Sequence, residues 1–243
     1  NNPDISAVGD AIEFKSPITG IVGPTYLAGP ANKQARILAD NLVFGNIRKY
    51  KGAINTAIAK VFDITVASCG LSEKALKKND IKYLSSIVHG GSNAGYYPGA
   101  MPMTLKIIFS PEDGKLFGAQ IVGYEGVDKR IDTISTVLQH GGTIYDLQEI
   151  EHAYAPPFSS AKDPVNIAGF VAENIIKKQT NIICWRDMMK LDSKEVFLLD
   201  VRTKDEFMLG SLDNAVNIDV DELRGRLGEI PKDKKIIVFC GVG

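Results

Sequence analysis

Short runs rich in β-branched and other apolar residues dominate the middle of the chain and predict a sheet. The predicted strands lie within residues 57–67, 82–89, 103–109 and 116–122. The last two runs are joined by Ser-Pro-Glu-Asp-Gly-Lys at residues 110–115, and these turn-forming residues favour a hairpin. We therefore predict an antiparallel sheet of about three or four strands.

The apolar spacing becomes helical after this sheet. Residues that would share one face of a helix recur every three or four positions. They are Val127, Ile131, Ile134, Val137 and Leu138. The pair Gly141-Gly142 should end this helix, and a second helix is predicted over residues 165–178. Strands followed by helices indicate an α+β domain, which we place at residues 47–178.

Residues 1–46 form a separate first block. A short strand is predicted at residues 5–8, and it runs directly into Gly9 and Asp10. After a stretch rich in glycine and proline, Gly29-Pro30 should open a helix, because proline fits the first turn of a helix.

Strands alternate with helices from residue 183 onward, after a linker near residues 178–182. The predicted strands are 196–200, 215–218 and 236–239, and the predicted helices are 185–191, 204–209 and 220–227. This alternation favours a parallel sheet with its active loops at the carboxyl ends of the strands. Cys240 lies at such an end and precedes two glycines, so that backbone N–H groups could stabilise a thiolate there.

Both ends of the chain are abrupt. It begins in the predicted strand that leads to Asp10, and it ends inside the loop that follows Cys240. We therefore expect these 243 residues to be the interior of a longer protein. Some of its chemistry would then require atoms outside this chain.

The composition argues against several classes of protein. Lys and Arg number 28, Asp and Glu 29, and the net charge of −1 gives no reason to expect nucleic acid or an anionic membrane as partner. No apolar run approaches the ~20 residues of a membrane helix, and no signal peptide is seen. Three widely spaced cysteines without a CxxC pair argue against a disulfide framework and a metal site, so we expect a soluble protein of the reducing cytoplasm. Cys69 and Cys184 are interpreted as small core residues.

The third block, residues 183–243, resembles the rhodanese family. The matching motifs are Asp200-Val201-Arg202, Glu206-Phe207, Gly210, Ala215-Val216-Asn217-Ile218 and Cys240-Gly241-Val242-Gly243. The resemblance implies a truncated α/β rhodanese-like domain in which Cys240 is catalytic and carries sulfur as a persulfide. Ser211 departs from the family, because many members have histidine there. Arg202 and Glu206 are expected to form a structural ion pair.

Residues 1–178 resemble the C-terminal part of the flavin-dependent pyridine-nucleotide disulfide oxidoreductases. The motifs are Ala7-Val8-Gly9-Asp10 and Leu27-Ala28-Gly29-Pro30-Ala31-Asn32-Lys33-Gln34-Ala35-Arg36. The resemblance implies that residues 1–46 are the end of an FAD-binding α/β domain and that NAD(P)H supplies the electrons. The residues implied to contact FAD are Gly9, Asp10, Leu27, Ala28 and Pro30. Glycine lets the backbone approach the cofactor, the aspartate accepts hydrogen bonds from hydroxyls, and the helix N-terminus favours a phosphate.

The segment 151–164 distinguishes between branches of that family. It reads Glu-His-Ala-Tyr-Ala-Pro-Pro-Phe-Ser-Ser-Ala-Lys-Asp-Pro, which lacks the His-Pro-Thr motif of the glutathione-reductase branch. It is similar instead to coenzyme A-disulfide reductases and their relatives, the NADH oxidases and persulfide reductases. In the first of these, two tyrosines of the partner subunit's interface domain reach the disulfide site. Tyr154 and Tyr97 match them, with Tyr96 as second choice for the latter, and His152 is interpreted as structural.

These resemblances together imply a homodimeric enzyme that reduces coenzyme A disulfide, a persulfide or a polysulfide with NAD(P)H through FAD and a cysteine absent from this chain. The dimerisation domain at residues 47–178 would supply the tyrosines, and the rhodanese-like unit would handle sulfur. Two alternatives remain open. One is an NADH oxidase of the same fold, and the other, for this chain alone, is an inactive dimerisation or interaction module. The sequence leaves the choice between NADH and NADPH open as well.

Overall fold

The computed structural model describes residue 2 and residues 4–241, and it divides into two compact units, Asn1–Thr180 and Asn181–Gly243. In the first unit the strands are β1 (Glu13–Lys15), β2 (Val22–Pro24), β3 (Ala57–Val61), β4 (Ile64–Gly70), β5 (Leu84–Gly91), β6 (Pro102–Phe109) and β7 (Leu116–Gly123). Its α-helices are α1 (Ala28–Phe44), α2 (Glu73–Lys78), α3 (Val127–Gln139), α4 (Ile144–Glu149) and α5 (Pro164–Ile176).

Among the described residues, β3 to β7 form a five-stranded antiparallel sheet in the order β3-β4-β7-β6-β5. The predicted antiparallel sheet and its hairpin at residues 110–115 are confirmed, but the predicted number of strands is wrong. The apolar run 57–67 turns back at Phe62 and Asp63, so that Val61 pairs with Ile64 and one run supplies two strands.

One face of this sheet is covered by α3, which packs on β4 and β7, and by α5, which packs on β5 and β6. Both helices were predicted and are confirmed. The core includes Leu105, Ile107, Ile121, Ile131, Ile134 and Val165, which have almost no exposed surface. Burying each such side chain stabilises the fold by roughly 1.5–3 kcal/mol relative to exposing it. The core therefore fixes β5, β6 and α5, from which the two loops described below depart, and α3, which lies beneath them.

The short helix α4 was missed by the sequence analysis. With six residues it is too short to show a helical period. Its signal lies in the capping box, in which Thr143 accepts a hydrogen bond from the Asp146 N–H and the Asp146 carboxylate accepts one from the Thr143 N–H. The spacing Thr-x-x-Asp would have located it.

The first 46 residues differ from the prediction at their start. The predicted strand at residues 5–8 is wrong: a strand needs a partner, and among the described residues no strand pairs with this segment. A 3₁₀ turn at Gly9–Ala11 follows, and β1 and β2 form an antiparallel pair that the sequence analysis did not anticipate. The predicted helix is confirmed as α1.

The second unit is built on a parallel sheet, as predicted. Its elements are α6 (Trp185–Met188), β8 (Val196–Asp200), α7 (Lys204–Met208), β9 (Val216–Asn217), α8 (Val220–Leu223) and β10 (Lys235–Phe239). Among the described residues the strand order is β10-β8-β9, with both pairs parallel. The carboxyl ends of β8 and β10 therefore lie side by side, and Asp200 pairs with Phe239, the residue before Cys240.

In the part of the chain that the structure describes, the helices are too short or too polar to cross a membrane.

Candidate active site

Two tyrosines from distant parts of the sequence meet on the first unit. Tyr96 lies in the loop between β5 and β6, Tyr154 lies in the loop between α4 and α5, and their hydroxyl oxygens are 3.1 Å apart. Both side chains are open to solvent, with exposed fractions of 77% and 48%. Tyr97 is also exposed, at 42%, and its backbone N–H closes a turn on the Ala94 carbonyl. The structure thus brings Tyr96 into contact with Tyr154. Tyr97 follows Tyr96 in the same loop.

The loop that carries Tyr96 and Tyr97 is closed at its base. The Ser92 N–H donates to the Met101 carbonyl at 2.8 Å, and the Met101 N–H donates to the Ser92 hydroxyl at 3.0 Å. Two residues after Ser92, the Ala94 N–H donates to the Pro156 carbonyl in the Tyr154 loop at 3.2 Å. This last bond joins the two tyrosine loops directly.

A fully buried arginine joins the same two loops from below. The Arg130 Nη2 atom donates to Asp163 at 2.8 Å and to the Ser92 carbonyl at 2.9 Å, and both charged side chains have no exposed surface. The Ser159 hydroxyl donates to the same Asp163 oxygen at 2.6 Å. Asp163 also accepts from the Val165 N–H as the N-cap of α5. One guanidinium on α3 therefore holds the Tyr96 loop through Ser92 and the Tyr154 loop through Asp163.

The charges of this network are stable at neutral pH. Burial opposes ionisation of Asp163, but hydrogen bonds from Arg130, Ser159 and the Val165 N–H outweigh it and hold the pKa of the carboxyl below its usual value. The hydrogen bond with Tyr96 raises the pKa of Tyr154, so its hydroxyl remains protonated at neutral pH. Tyr154 is consequently a hydrogen-bond donor and not a base.

His152 lies two residues before Tyr154 and is half-buried. Burial lowers the pKa of its imidazole, with Asp163 opposing and Arg130 reinforcing the effect, so the ring is neutral at pH 7. Its Nε2 atom is buried without a hydrogen-bond partner among the described residues. The interpretation of His152 as structural stays a prediction.

The residues predicted to contact FAD lie around the 3₁₀ turn and the start of α1. Gly9 has a φ of +71°, a region that favours glycine, and its N–H donates to the Gln34 side chain of α1 at 2.6 Å. Leu27 caps α1 without a side-chain hydrogen bond, and no acidic residue occupies the first turn. The helix N–H groups are therefore available to an anion, and Asp10 is exposed beside Gly9. These residues fit the cofactor's phosphate and hydroxyl groups.

In the second unit, Cys240 follows β10 and is half-buried. Asp200, at the adjacent strand end, holds Arg202 at 2.7 Å and accepts a hydrogen bond from the Ser211 hydroxyl at 2.6 Å. The Arg202 side chain also donates to the Gly210 carbonyl at 2.8 Å. These bonds, with the Arg202 side chain first, lower the pKa of Asp200 to about 2. The loop residues Val242 and Gly243 lie outside the described residues.

The predicted ion pair between Arg202 and Glu206 is wrong. Arg202 turns back to Asp200, which is two residues away at the same strand end. Glu206 instead forms a capping box with Thr203 at the start of α7. Glu206 thus accepts a hydrogen bond from an N–H at the start of the helix, which stabilises the fold more than an exposed ion pair would.

The other two cysteines differ from each other. Cys69 lies in the core, as predicted, and burial raises the pKa of its thiol to about 12, which makes it unreactive. Cys184 was also predicted to be a core residue, and this is wrong. It is exposed at the start of α6, with its thiol 3.1 Å from an Asp187 carboxylate oxygen.

Each of the two units contains a segment that matches a known protein family. Residues 56–164 match the family described as pyridine nucleotide-disulphide oxidoreductase, dimerisation domain, and residues 186–243 match the rhodanese-like domain. A coenzyme A disulfide reductase of Staphylococcus epidermidis is 38% identical over 173 residues, which cover 71% of this chain and 39% of that protein.

Two solved structures extend the likeness across both units. The reduced Bacillus anthracis CoADR-RHD is 45% identical with a TM-score of 0.94, covering 98% of this chain and 43% of that one. An NAD-dependent persulfide reductase from A. fulgidus is 37% identical with a TM-score of 0.91, covering 100% of this chain and 43% of that one. The chain thus spans 39% to 43% of the length of these relatives.

Proposed function

We propose that the whole protein is a homodimeric flavoenzyme that reduces coenzyme A disulfide or a persulfide with NAD(P)H. The chain carries a dimerisation domain of the pyridine nucleotide-disulphide oxidoreductases followed by a rhodanese-like domain, and this combination supports the proposal. The names of the relatives support this reaction class. The observation that carries it is the contact between Tyr96 and Tyr154, whose loops are both anchored by Arg130.

The tyrosine pair suits the cleavage of a bond between two sulfur atoms. When a thiolate attacks a disulfide, one sulfur leaves as a thiolate and needs stabilisation. A thiol has a pKa of ~8.5, below that of tyrosine at ~10, so the hydroxyl donates a hydrogen bond and keeps its proton at neutral pH. In the contact at 3.1 Å only one of the two hydroxyl protons lies between the oxygens, so the other is available to the leaving sulfur. We assign this role to Tyr154, with Tyr96 orienting it and Tyr97 contacting the substrate.

The first residues of the chain support binding of FAD. Gly9 and Asp10 would lie along the cofactor's phosphate and sugar-alcohol groups, and Leu27, Ala28 and Pro30 would form the helix start that faces it. When bound, FAD would relay two electrons from the nicotinamide to the disulfide site.

Cys240 would handle sulfur in the rhodanese-like unit. Its thiolate attacks the outer sulfur of a persulfide R–S–SH, the S–S bond of the donor breaks, and R–S⁻ leaves as Cys240 becomes Cys–S–SH. The Arg202 side chain lies beside this loop, since a Cβ built at Gly241 would be 3.9 Å from it, and its positive charge would attract an anionic sulfur donor. The same persulfide is then a substrate for a disulfide-reducing centre.

Replacement of Tyr154 by phenylalanine in the full-length dimer tests the proposal. We expect reduction of coenzyme A disulfide to slow by about ten- to hundredfold, since a hydrogen bond to the leaving sulfur is lost. Flavin reduction by NAD(P)H should remain nearly unchanged. Anaerobic stopped-flow absorbance separates the two half-reactions. Tyr145→Phe is the matched control, because Tyr145 is also exposed but lies on α4.

Two results would contradict the proposal. Equal loss in both half-reactions would show that the hydroxyl does not act on sulfur. Consumption of NADH driven only by oxygen, with coenzyme A disulfide inert, would identify the enzyme as an NADH oxidase instead.

A further inference from the structure

Lys129 holds the loop that carries Tyr154. Its ammonium group donates a hydrogen bond to the Phe158 carbonyl at 2.7 Å, across 29 positions of the chain. That carbonyl ends a tight turn, in which the Phe158 N–H and the Ser159 N–H both donate to the Ala155 carbonyl, at 2.8 and 3.2 Å. Because Ala155 directly follows Tyr154, the lysine fixes a turn that begins one residue after the tyrosine.

This loop depends on its carbonyl groups because it contains two prolines. Pro156 and Pro157 have no backbone N–H and cannot donate hydrogen bonds from the main chain. The Pro156 carbonyl accepts from the Ala94 N–H at 3.2 Å, and the Phe158 carbonyl accepts from Lys129. These two bonds fix carbonyls that are two residues apart, one to the other tyrosine loop and one to α3.

The position of Lys129 is unfavourable for a cation. It is the third residue of α3, where the positive end of the helix dipole favours anions. Partial burial of the amine lowers its pKa and the neighbouring Arg130 lowers it further, while Asp163 and Asp128 oppose the effect. The positive charge is therefore less stable here than on an open surface. Helix stability does not explain a lysine at this position, whereas its bond to the Phe158 carbonyl does.

Lys129 differs from Arg130 in its exposure to solvent. The Lys129 side chain and its bond to Phe158 are exposed, whereas Arg130 has no exposed surface. Exposed polar contacts contribute little to the free energy of unfolding, but a donor that fixes a loop can still decide how a side chain of that loop is aligned. Loss of Arg130 should therefore destabilise the fold, whereas loss of Lys129 should let the Tyr154 loop move while the fold persists.

We propose that Lys129 is a positioning residue for disulfide reduction, which aligns the Tyr154 hydroxyl with the leaving sulfur by holding this turn. The inference rests on the proposed function of Tyr154. Misplacement of a reacting group by about 1 Å can slow a reaction about a hundredfold. Contact with the substrate is assigned to Tyr97, whose loop is closed separately by Ser92 and Met101. Lys129 should therefore affect kcat and leave KM nearly unchanged.

Replacement of Lys129 by methionine in the full-length dimer should lower kcat for coenzyme A disulfide about tenfold and change KM less than about twofold. Lys129→Arg keeps a charged donor and should recover most of kcat. Lys162→Met is the matched control, because Lys162 is exposed in the same loop and its ammonium lies 6.0 Å from the centre of the Phe170 ring. It should leave both constants unchanged. An equal loss in Lys162→Met, or no loss in Lys129→Met, would overturn the inference.

A double variant distinguishes this inference from the proposed function. If Lys129 acts through the Tyr154 hydroxyl, Lys129→Met should slow the Tyr154→Phe enzyme no further, because the group that it aligns is already absent. Additive losses would give Lys129 another role and overturn the inference. Slowing in Tyr154→Phe alone would overturn the inference and leave the proposed function standing, whereas an unaffected Tyr154→Phe enzyme would contradict both.

Hydrogen exchange followed by mass spectrometry gives a readout that does not depend on activity. In the full-length Lys129→Met dimer, the Phe158 and Ser159 N–H groups should exchange at least about threefold faster than in the unchanged protein, since their turn has lost its bond to α3. Exchange within α3 and α5 should stay the same, which would show that the fold persists. Unchanged exchange at both loop N–H groups would show that Lys129 does not hold the turn.

Discussion

Replacement of Arg130 by methionine is expected to lower the free energy of unfolding of the first unit by about 3–5 kcal/mol. The substitution leaves Asp163 ionised, fully buried and without its counter-charge. It also removes the donor to the Ser92 carbonyl, so the Tyr96 loop loses its anchor on α3. Urea denaturation of the 243-residue chain, followed by far-UV circular dichroism, measures the change in stability.

A surface arginine provides the matched control. Arg48 pairs with Asp40 at 2.6 Å, but its side chain is half exposed, so Arg48→Met should have a far smaller effect. If the two variants lost the same stability, burial of the Arg130 pair would not be the cause.

A double variant separates charge burial from packing. Arg130→Met/Asp163→Asn removes both buried charges, and asparagine retains an N-cap side chain for α5. It should therefore recover part of the stability that the single variant loses. A double variant less stable than Arg130→Met would show that Asp163 contributes mainly through other bonds, such as that from Ser159.

The elements that could be predicted from the sequence are those encoded by local patterns. The hairpin of β6 and β7, the helices α3 and α5 and the parallel sheet of the second unit follow from apolar runs and their spacing. The run 57–67 was misjudged because its turn, Phe62-Asp63, lacks the glycine or asparagine that usually marks a two-residue hairpin loop. The prediction of a strand at residues 5–8 was wrong because strand pairing depends on a partner strand and not on the segment's own sequence.

The candidate site was only partly predictable, because it depends on contacts between distant residues. The sequence singled out Tyr154, but its contact with Tyr96 spans 58 positions. That contact depends on Arg130, and an arginine near the start of an amphipathic helix is normally exposed to solvent. Its partner did leave a signal: Asp163-Pro164 is a favourable start for a helix, and it marks where α5 begins. The capping residue Asp163 is therefore the one member of the buried network that has a recognisable signal in the sequence.

In the second unit, replacement of Cys240 by serine in the full-length protein should lower sulfur transfer from a thiosulfate-like donor by more than about a hundredfold. A hydroxyl is neither ionised at neutral pH nor able to hold the sulfur as a persulfide, and no other described cysteine lies at the carboxyl end of β8, β9 or β10. Coenzyme A disulfide reduction should be spared, because we assign it to the tyrosines of the other unit. Release of thiocyanate from thiosulfate and cyanide measures the first activity, and NAD(P)H oxidation measures the second.

Cys184→Ser is the matched control for this last experiment, since Cys184 is exposed in the same unit but lies at the start of α6. It should leave both activities intact. A loss of both activities in Cys240→Ser, with a lowered thermal midpoint, would mean that Cys240 serves the packing of β10 and not sulfur transfer. Retention of sulfur transfer by Cys240→Ser and its loss in Cys184→Ser would assign the persulfide to Cys184 instead. The strand order β10-β8-β9 favours Cys240, because it places that residue at the same sheet edge as the Asp200–Arg202 pair, where the carboxyl ends of the parallel strands meet.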